Sequence, residues 1–163
     1  MSQPVPPPSS GNPFADGAAY PQAPAPAAPA RDNVALGVAA AFAAALVTAG
    51  IYGGIIGATE YQIGFAAVGV GYLIGLVAGK VGGSNPALPV VSAILSLGAV
   101  YLGQLLGLAI AVSDVLRLTV TELFFENLEL LTMGWKEEAG PMSFLFLAIG
   151  AYAAFSAAKK SAG

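Results

Sequence analysis

Cysteine and histidine are both absent from this chain of 163 residues. Without them the chain has no disulfides, no thiol chemistry, and none of the ligands that most zinc, copper and haem sites need. Catalysis would have to rely on carboxylates, serines and lysines, because nucleophile–base pairs commonly use one of the two missing residues. We therefore expect no enzymatic activity, no catalytic residue, no bound metal and no cofactor.

Charged residues are also scarce. Asp, Glu, Lys and Arg make up 9% of the chain, hydrophobic residues make up 56%, and the mean hydropathy is +0.75. Soluble domains carry about 25% charged residues, so this composition predicts a membrane protein whose first partner is the lipid bilayer. The formal net charge is −3 and no basic cluster occurs, which argues against nucleic acid as a partner because phosphate contacts need Lys and Arg.

Proline is concentrated at the start of the sequence. Nine of the 12 prolines lie before position 30, in a stretch rich in alanine. Proline removes the backbone donors that helices and strands require, so residues 1–31 are predicted to be a disordered Pro/Ala-rich cytoplasmic tail. Asn12-Pro13-Phe14 and Tyr20-Pro21 could dock into an aromatic groove of a partner. A solvated tether is the simpler interpretation of this tail.

Residues 32–163 contain four long stretches without charge. In the second stretch Glu60 and Lys80 lie 20 positions apart with no charge between them, which corresponds to ~30 Å of helix, the thickness of bilayer hydrocarbon. We predict an all-α membrane protein built on a four-helix transmembrane domain. Its spans are expected at about 34–56, 61–80, 88–112 and 142–159.

Glycines recur in these stretches at spacings of four residues. Gly71, Gly75 and Gly79 fall on one face of the second predicted helix, and Gly103 and Gly107 form a similar pair on the third. Helices associate in lipid through small residues that let two backbones approach closely. We predict that these five glycines are helix-packing residues. The first predicted helix carries two further pairs, Gly50/Gly54 and Gly53/Gly57.

The connections between the predicted spans are short. Gly57 suits a left-handed helix end, and Thr59 to Gln62 matches a capping box at the start of the second helix. Asn85 can cap the third helix, with Pro86 in its first turn. Gln104 is the most polar side chain expected to be buried at membrane depth. It is expected to bond to a neighbouring helix, and the alternative is that it faces a wet cavity.

One region, residues 113–140, is rich in acidic residues. On a helix, Glu122, Glu126 and Glu129 share one face, and an apolar stripe runs along another. The pattern predicts an amphipathic helix over 113–133 lying on the membrane surface, with Trp135 at headgroup level. An alternation at 118–122 is also compatible with a strand. A solvated acidic face is a simpler interpretation than a cation site, since no known calcium-loop spacing is present.

The basic residues indicate an orientation. With four spans both termini lie on one side, together with Arg31, Lys80, Lys159 and Lys160, whereas Arg117 and Lys136 lie on the other side. Basic residues are enriched in cytoplasmic loops, so both termini are expected in the cytoplasm and the acidic segment outside. Lys80, Trp135, Lys159 and Lys160 are predicted to lie at the membrane interfaces.

Two stretches resemble helices of a known kind of protein. TEYQIGFAAVGVGYLIGLVAGK (59–80) and FLFLAIGAYAAFSAAKK (144–160) are similar to helices of small multi-pass membrane proteins of bacteria, and the Pro-rich tail resembles those of many actinobacterial membrane proteins. The resemblance implies a location in the bacterial cytoplasmic membrane. It implies no activity and carries over no functional residue.

Two functional hypotheses follow. The first is a non-enzymatic structural or interaction component that assembles through its Gly-rich helix faces, either as a homo-oligomer or with another membrane protein. The alternative is a subunit of a small oligomeric transporter or channel. The alternative is weaker because the interiors of all four predicted spans lack Asp, Glu, Arg and His, the residues that usually mark ion or proton routes.

Overall fold

The computed structural model describes residues 32–162, and every regular element in that part of the chain is a helix. The prediction of an all-α protein is therefore confirmed, and the alternation at 118–122 produces no strand. The predicted tail, residues 1–31, lies outside the described residues. The helices are α1 (Val34–Thr59), α2 (Gly64–Gly82), α3 (Ala87–Leu116), α4 (Val120–Phe125), α5 (Leu128–Glu138) and α6 (Pro141–Ser161).

Four of the helices are long and apolar enough to cross a membrane, as predicted. These are α1 with 26 residues, α2 with 19, α3 with 30 and α6 with 21. At 1.5 Å per residue α3 is about 45 Å long, more than the hydrocarbon of a bilayer requires. It continues four residues past the predicted end of its span, to Leu116.

The first connection differs from its prediction. Helix α1 continues to Thr59, and Glu60, not Gly57, takes the left-handed conformation, with φ 58°. The predicted capping box at Thr59 is wrong: the Thr59 hydroxyl donates to the Ile55 carbonyl at 2.7 Å, and α2 begins only at Gly64. The extra turn of α1 places Gly57 against Ile110 of α3, so tertiary packing prevails over the local capping signal.

The second connection is close to its prediction. The Asn85 side chain accepts a hydrogen bond from the Ala87 amide at 2.9 Å, at the start of α3. The Asp32 carboxylate, just before α1, accepts from the Ser84 amide at 3.1 Å. These bonds hold the start of α1 beside the turn between α2 and α3.

The four long helices form a bundle in which parallel neighbours alternate with antiparallel ones. Helix α1 packs on α2 and α3, α6 packs on the same two helices, and α2 contacts α3 between them. Within residues 32–162 there is no contact between α1 and α6. Successive long helices run in opposite directions, so α1 lies parallel to α3, and α2 lies parallel to α6.

Glycines set the distance between α2 and α6. A Cβ atom built on Gly71 would overlap the Gly150 carbonyl oxygen, and one on Gly75 would overlap the Ala154 carbonyl oxygen. A Cβ on Gly79 would meet Ala158 and Ser161 in the same way. The backbones of the two helices are therefore in contact over two turns, a separation that only glycine permits.

In the α1–α3 pair, glycines of each helix contact large side chains of the other. Gly103 and Gly107 of α3 receive the side chains of Tyr52 and Ile56. In return, two glycines of α1 receive side chains of α3: Gly53 lies against Leu106, and Gly57 lies against Ile110. Each helix thus offers small residues where its neighbour offers large ones, and the two surfaces interdigitate.

The acidic segment forms two helices, so the prediction of one continuous helix over 113–133 is wrong. Arg117 ends α3 in the left-handed conformation (φ 53°), and Asn127 separates α4 from α5. Leu123 of α4 and Leu131 of α5 are buried against Leu105 and Ala109 of α3. Two short helices bring both leucines back onto α3, which gives them a buried site that a single straight helix on the membrane surface would not.

Replacing Gly75 by Ala should destabilise the bundle, whereas replacing Gly69 by Ala should not. The new Cβ at position 75 would overlap the Ala154 carbonyl oxygen and lie 2.9 Å from the Ala158 nitrogen, an overpacking that typically costs about 1–3 kcal/mol. Thermal unfolding of each variant in a mild detergent, followed by circular dichroism, measures the difference.

Gly69 is a matched control because it lies on the same helix and a Cβ built there meets no atom within 4 Å among residues 32–162. Its substitution should be neutral or stabilise by up to about 1 kcal/mol, since alanine favours helix over glycine. Equal melting temperatures for the two variants would contradict the close contact of α2 with α6.

Candidate binding site

A cavity of about 610 Å³ opens at the end of the bundle where α4 and α5 lie. The end of α1, the start of α2, the C-terminal half of α3, the end of α5 and the start of α6 all contribute to its wall. Its lining combines apolar side chains with polar ones that come from separate parts of the chain. The polar lining residues are Glu60, Gln62, Gln104, Trp135, Glu138 and Ser143.

Gln104 is the polar side chain at the base of this site, and it is only 2% exposed. Its Oε1 accepts a hydrogen bond from Trp135 Nε1 at 2.8 Å, so the predicted bond to a neighbouring helix is confirmed. Its Nε2 and the hydroxyl of Tyr52 beside it both lack a close hydrogen-bond partner in residues 32–162. Gln104 also lines the cavity. Its amide therefore both bonds to another helix and faces a cavity, the two alternatives that the sequence left open.

Trp135 is held against the bundle by aromatic contacts. Its ring packs edge-on against Tyr101 at a centroid distance of 4.8 Å and against Phe144 at 6.0 Å. These contacts and the bond to Gln104 connect α5 to both α3 and α6. The side chain predicted from sequence as an interfacial anchor therefore also forms a wall of the cavity.

Ser143 and Gln62 close another side of the cavity. The Ser143 hydroxyl donates to Gln62 Oε1 at 3.2 Å, across 81 positions of sequence, and Ser143 is 3% exposed. Neither residue is among the predicted site residues. No local pattern marks them, because their pairing depends on α2 and α6 running parallel from the same end of the bundle.

Two carboxylates line the cavity at its exposed rim. Glu60 follows the last turn of α1, Glu138 ends α5, and both are exposed. No Lys or Arg is found among the described residues that line this cavity. The ionisable side chains at the rim among these residues are therefore both acidic.

Glu122 belongs to a separate arrangement at the start of α4. Its carboxylate accepts hydrogen bonds from the Thr119 amide at 2.7 Å and the Thr119 hydroxyl at 3.0 Å. These bonds, the amide first, lower the pKa of Glu122 below its ordinary value. The cap therefore stabilises α4 above the pKa of a free carboxyl group, and this stabilisation is lost as the pH falls through the lowered pKa.

The predicted basic anchors lie at the other end of the bundle. Lys80 is in the last turn of α2, and Lys159 and Lys160 are in the last turn of α6. All three are exposed, and Lys159 Nζ lies 6.0 Å from the centroid of the Phe155 ring. Cations at helix C-termini interact favourably with the helix dipole.

The acidic side chains of the described part of the chain are dispersed. Between residues 32 and 162 no group of three or more carboxylates comes close enough together to hold a metal ion. Comparison with known protein families, with curated proteins and with solved structures finds no match to this chain.

The Trp135–Gln104 bond should appear as a coupling energy in a double-mutant cycle. We expect Trp135→Phe to lower stability by about 1–3 kcal/mol, because it leaves the buried Gln104 Oε1 unsatisfied. Gln104→Met should lower stability less, because Trp135 is only half-buried and the change also removes the unpartnered Nε2. The double variant removes both partners, so its loss should be smaller than the sum of the two by at least about 0.5 kcal/mol. Chemical or thermal unfolding in detergent measures all four proteins. Strictly additive losses would show that the two side chains do not interact.

Proposed function

We propose that the protein is a non-enzymatic multi-pass component of the bacterial cytoplasmic membrane that assembles laterally with a second copy of itself. The observation that carries this proposal is an unused glycine pair on α1. A Cβ built on Gly50 or Gly54 meets nothing within 4 Å in the described part of the chain. Gly53 and Gly57 on the same helix are both in contact with α3.

The five glycines predicted from sequence as helix-packing residues pack helices of the same chain and do not face a second chain. Gly71, Gly75 and Gly79 are occupied by α6, and Gly103 and Gly107 are occupied by α1. They hold the bundle together, so they are not open to a second chain. Among the described residues Gly69, Gly98 and Gly140 are also open but stand singly, so Gly50 and Gly54 are the open pair at a spacing of four.

The surroundings of Gly50 and Gly54 support this role. Within residues 32–162 helix α1 packs on α2 and α3 alone, so much of its surface has no neighbour in that part of the chain. Leu46, Val47 and Ile51 beside the pair are 53%, 61% and 59% exposed. In a bilayer such a surface contacts lipid or another helix, and a small-residue pair lets a second helix approach closely.

A small oligomeric transporter remains the second candidate, favoured by buried polar groups on α3. Ser92, Ser96 and Gln104 are each at most 2% exposed, and each has a polar atom without a partner among residues 32–162. They lie on one face of the helix, with the apolar Val100 between Ser96 and Gln104. Against this candidate, none of these groups is charged, whereas ion and proton routes usually contain ionisable residues.

Orientation follows from the two ends of the bundle. The start of α1 and the end of α6 share the end that carries Lys80, Lys159 and Lys160, whereas the other end carries α4, α5 and the cavity. Positive residues favour the cytoplasmic side. We therefore place both termini in the cytoplasm and the opening of the cavity outside.

Single cysteines should report the proposed assembly without background, since the chain has none of its own. Val47→Cys lies beside the Gly50/Gly54 pair and should form a disulfide-linked dimer on mild oxidation of native membranes. Ile94→Cys on α3 is the control, because its exposure of 63% matches the 61% of Val47. Adding Gly50→Leu to the Val47→Cys variant should reduce the dimer severalfold, because the branched side chain prevents close approach. Equal dimer at positions 47 and 94, or none at 47, would refute assembly through this face.

Labelling with a membrane-impermeant thiol reagent tests the orientation. Thr59→Cys, at the cavity end, should react in intact cells, whereas Ser84→Cys, at the other end, should react only after lysis. Both residues are exposed, so access to the reagent depends on the side of the membrane. The reverse pattern would mean that the termini lie outside the cell.

A further inference from the structure

We propose that the cavity at the α4–α5 end binds a small molecule that combines an ammonium group with an oxygen acceptor. The site is independent of the assembly face of α1. Three properties of its lining specify this chemistry: an unpartnered buried donor, apolar walls and an acidic rim.

The buried donor requires an acceptor. Gln104 is 98% buried, and its Nε2 carries two N–H groups. The buried Tyr52 hydroxyl beside it, which has no partner of its own, can accept one of them, and the other finds no acceptor in residues 32–162. Leaving such a group unsatisfied costs more free energy than a typical hydrogen bond contributes. Its Oε1 is already bonded to Trp135, so the amide cannot rotate to exchange its two ends without losing that bond. A ligand oxygen in the cavity would satisfy the donor.

The walls suit a partly apolar molecule. Ile56, Leu108, Val112 and Met142 line the cavity together with the polar groups. The volume of about 610 Å³ lies within the range of roughly 300–1,000 Å³ that is usual for small-molecule sites. Several water molecules would fill the space, but water would leave these apolar side chains wet.

The rim selects a positive charge. Glu60, just after α1, and Glu138, at the end of α5, both line this cavity. No basic residue among the described lining residues opposes them. An ammonium group at the rim would pair with these carboxylates, and the indole of Trp135 in the wall is the aromatic group best suited to a quaternary ammonium.

Three probes of nearly equal size test these requirements one at a time. Acetylcholine carries both the ammonium and the oxygen acceptor, its neutral carbon isostere dimethylbutyl acetate lacks the charge, and pentyltrimethylammonium lacks the acceptor. Binding is measured by isothermal titration on the full chain in a mild detergent, up to about 10 mM probe, a range that detects weak ligands. Trp135 is the only tryptophan, so its fluorescence reports binding at this cavity.

We expect saturable binding of acetylcholine with a change in Trp135 emission. The neutral isostere should bind about tenfold more weakly, since two exposed charge pairs are each worth a factor of about two to five. Pentyltrimethylammonium should also bind about tenfold more weakly, since it offers no acceptor to Gln104.

Variants locate the interaction. Glu60→Gln and Glu138→Gln should each weaken acetylcholine two- to fivefold and leave the neutral isostere unchanged. Glu129→Gln is the matched control, because Glu129 is an exposed carboxylate of α5 that does not line the cavity. Gln104→Met should abolish the preference for acetylcholine over pentyltrimethylammonium. If that variant fails to fold, the two glutamate variants and their control still decide the matter.

Three results would overturn the proposal: no saturable binding of acetylcholine, equal binding of its neutral isostere, or an equal effect of Glu129→Gln and Glu138→Gln. The first would leave the cavity with water alone, and the last would assign binding to the general acidic field. Adding phosphatidylethanolamine to the micelles distinguishes two sources of the ammonium. Displacement of the probe would indicate a lipid headgroup, and no displacement would indicate a soluble amine.

Discussion

The backbone contact between α2 and α6 is the constraint on which the rest of the bundle depends. Gly71 and Gly75 lie so close to the carbonyl groups of Gly150 and Ala154 that no side chain fits between them. In lipid, where water does not drive apolar groups together, such close packing is the main source of attraction between helices. The contact also fixes α6 in register with α2. That register brings Ser143 to Gln62 and makes the start of α6 a wall of the cavity.

The helices were predictable from sequence, but their partners were not. A charge-free length near the bilayer thickness is a local property, and so is a glycine at every fourth position, which is why the spans and their small-residue faces can be read from the chain alone. A row of glycines predicts that a helix packs against that face, but it does not identify which helix. The row on α2 is occupied by α6 of the same chain and that on α3 by α1, so the pair open to a second chain, Gly50 and Gly54, can be distinguished only once the bundle is known.

The acidic segment and the site show where local patterns fail. The apolar stripe over 113–133 favours one helix, and nothing in its sequence marks Arg117 as a helix end. The turn there follows from the burial of Leu123 and Leu131 on α3, which is a tertiary gain. The same holds for the cavity. Gln104 stands out in the sequence as a polar residue within a span, whereas Glu60 and Glu138 line one cavity only because α1 and α5 end on the same side of the bundle.

Helix α5 has a particular position in this arrangement. It carries two residues of the cavity, Trp135 and Glu138, and it has no direct backbone neighbour besides α3 and α4 in the described part of the chain. Its attachment depends on Leu131 and on the bond from Trp135 to Gln104. A molecule held between Gln104 and Glu138 would therefore contact one of the two lightly packed short helices and one of the most buried polar groups at once. A bound ligand would therefore stabilise mainly the packing of α5 on α3, because the long helices are already held in place by their own contacts.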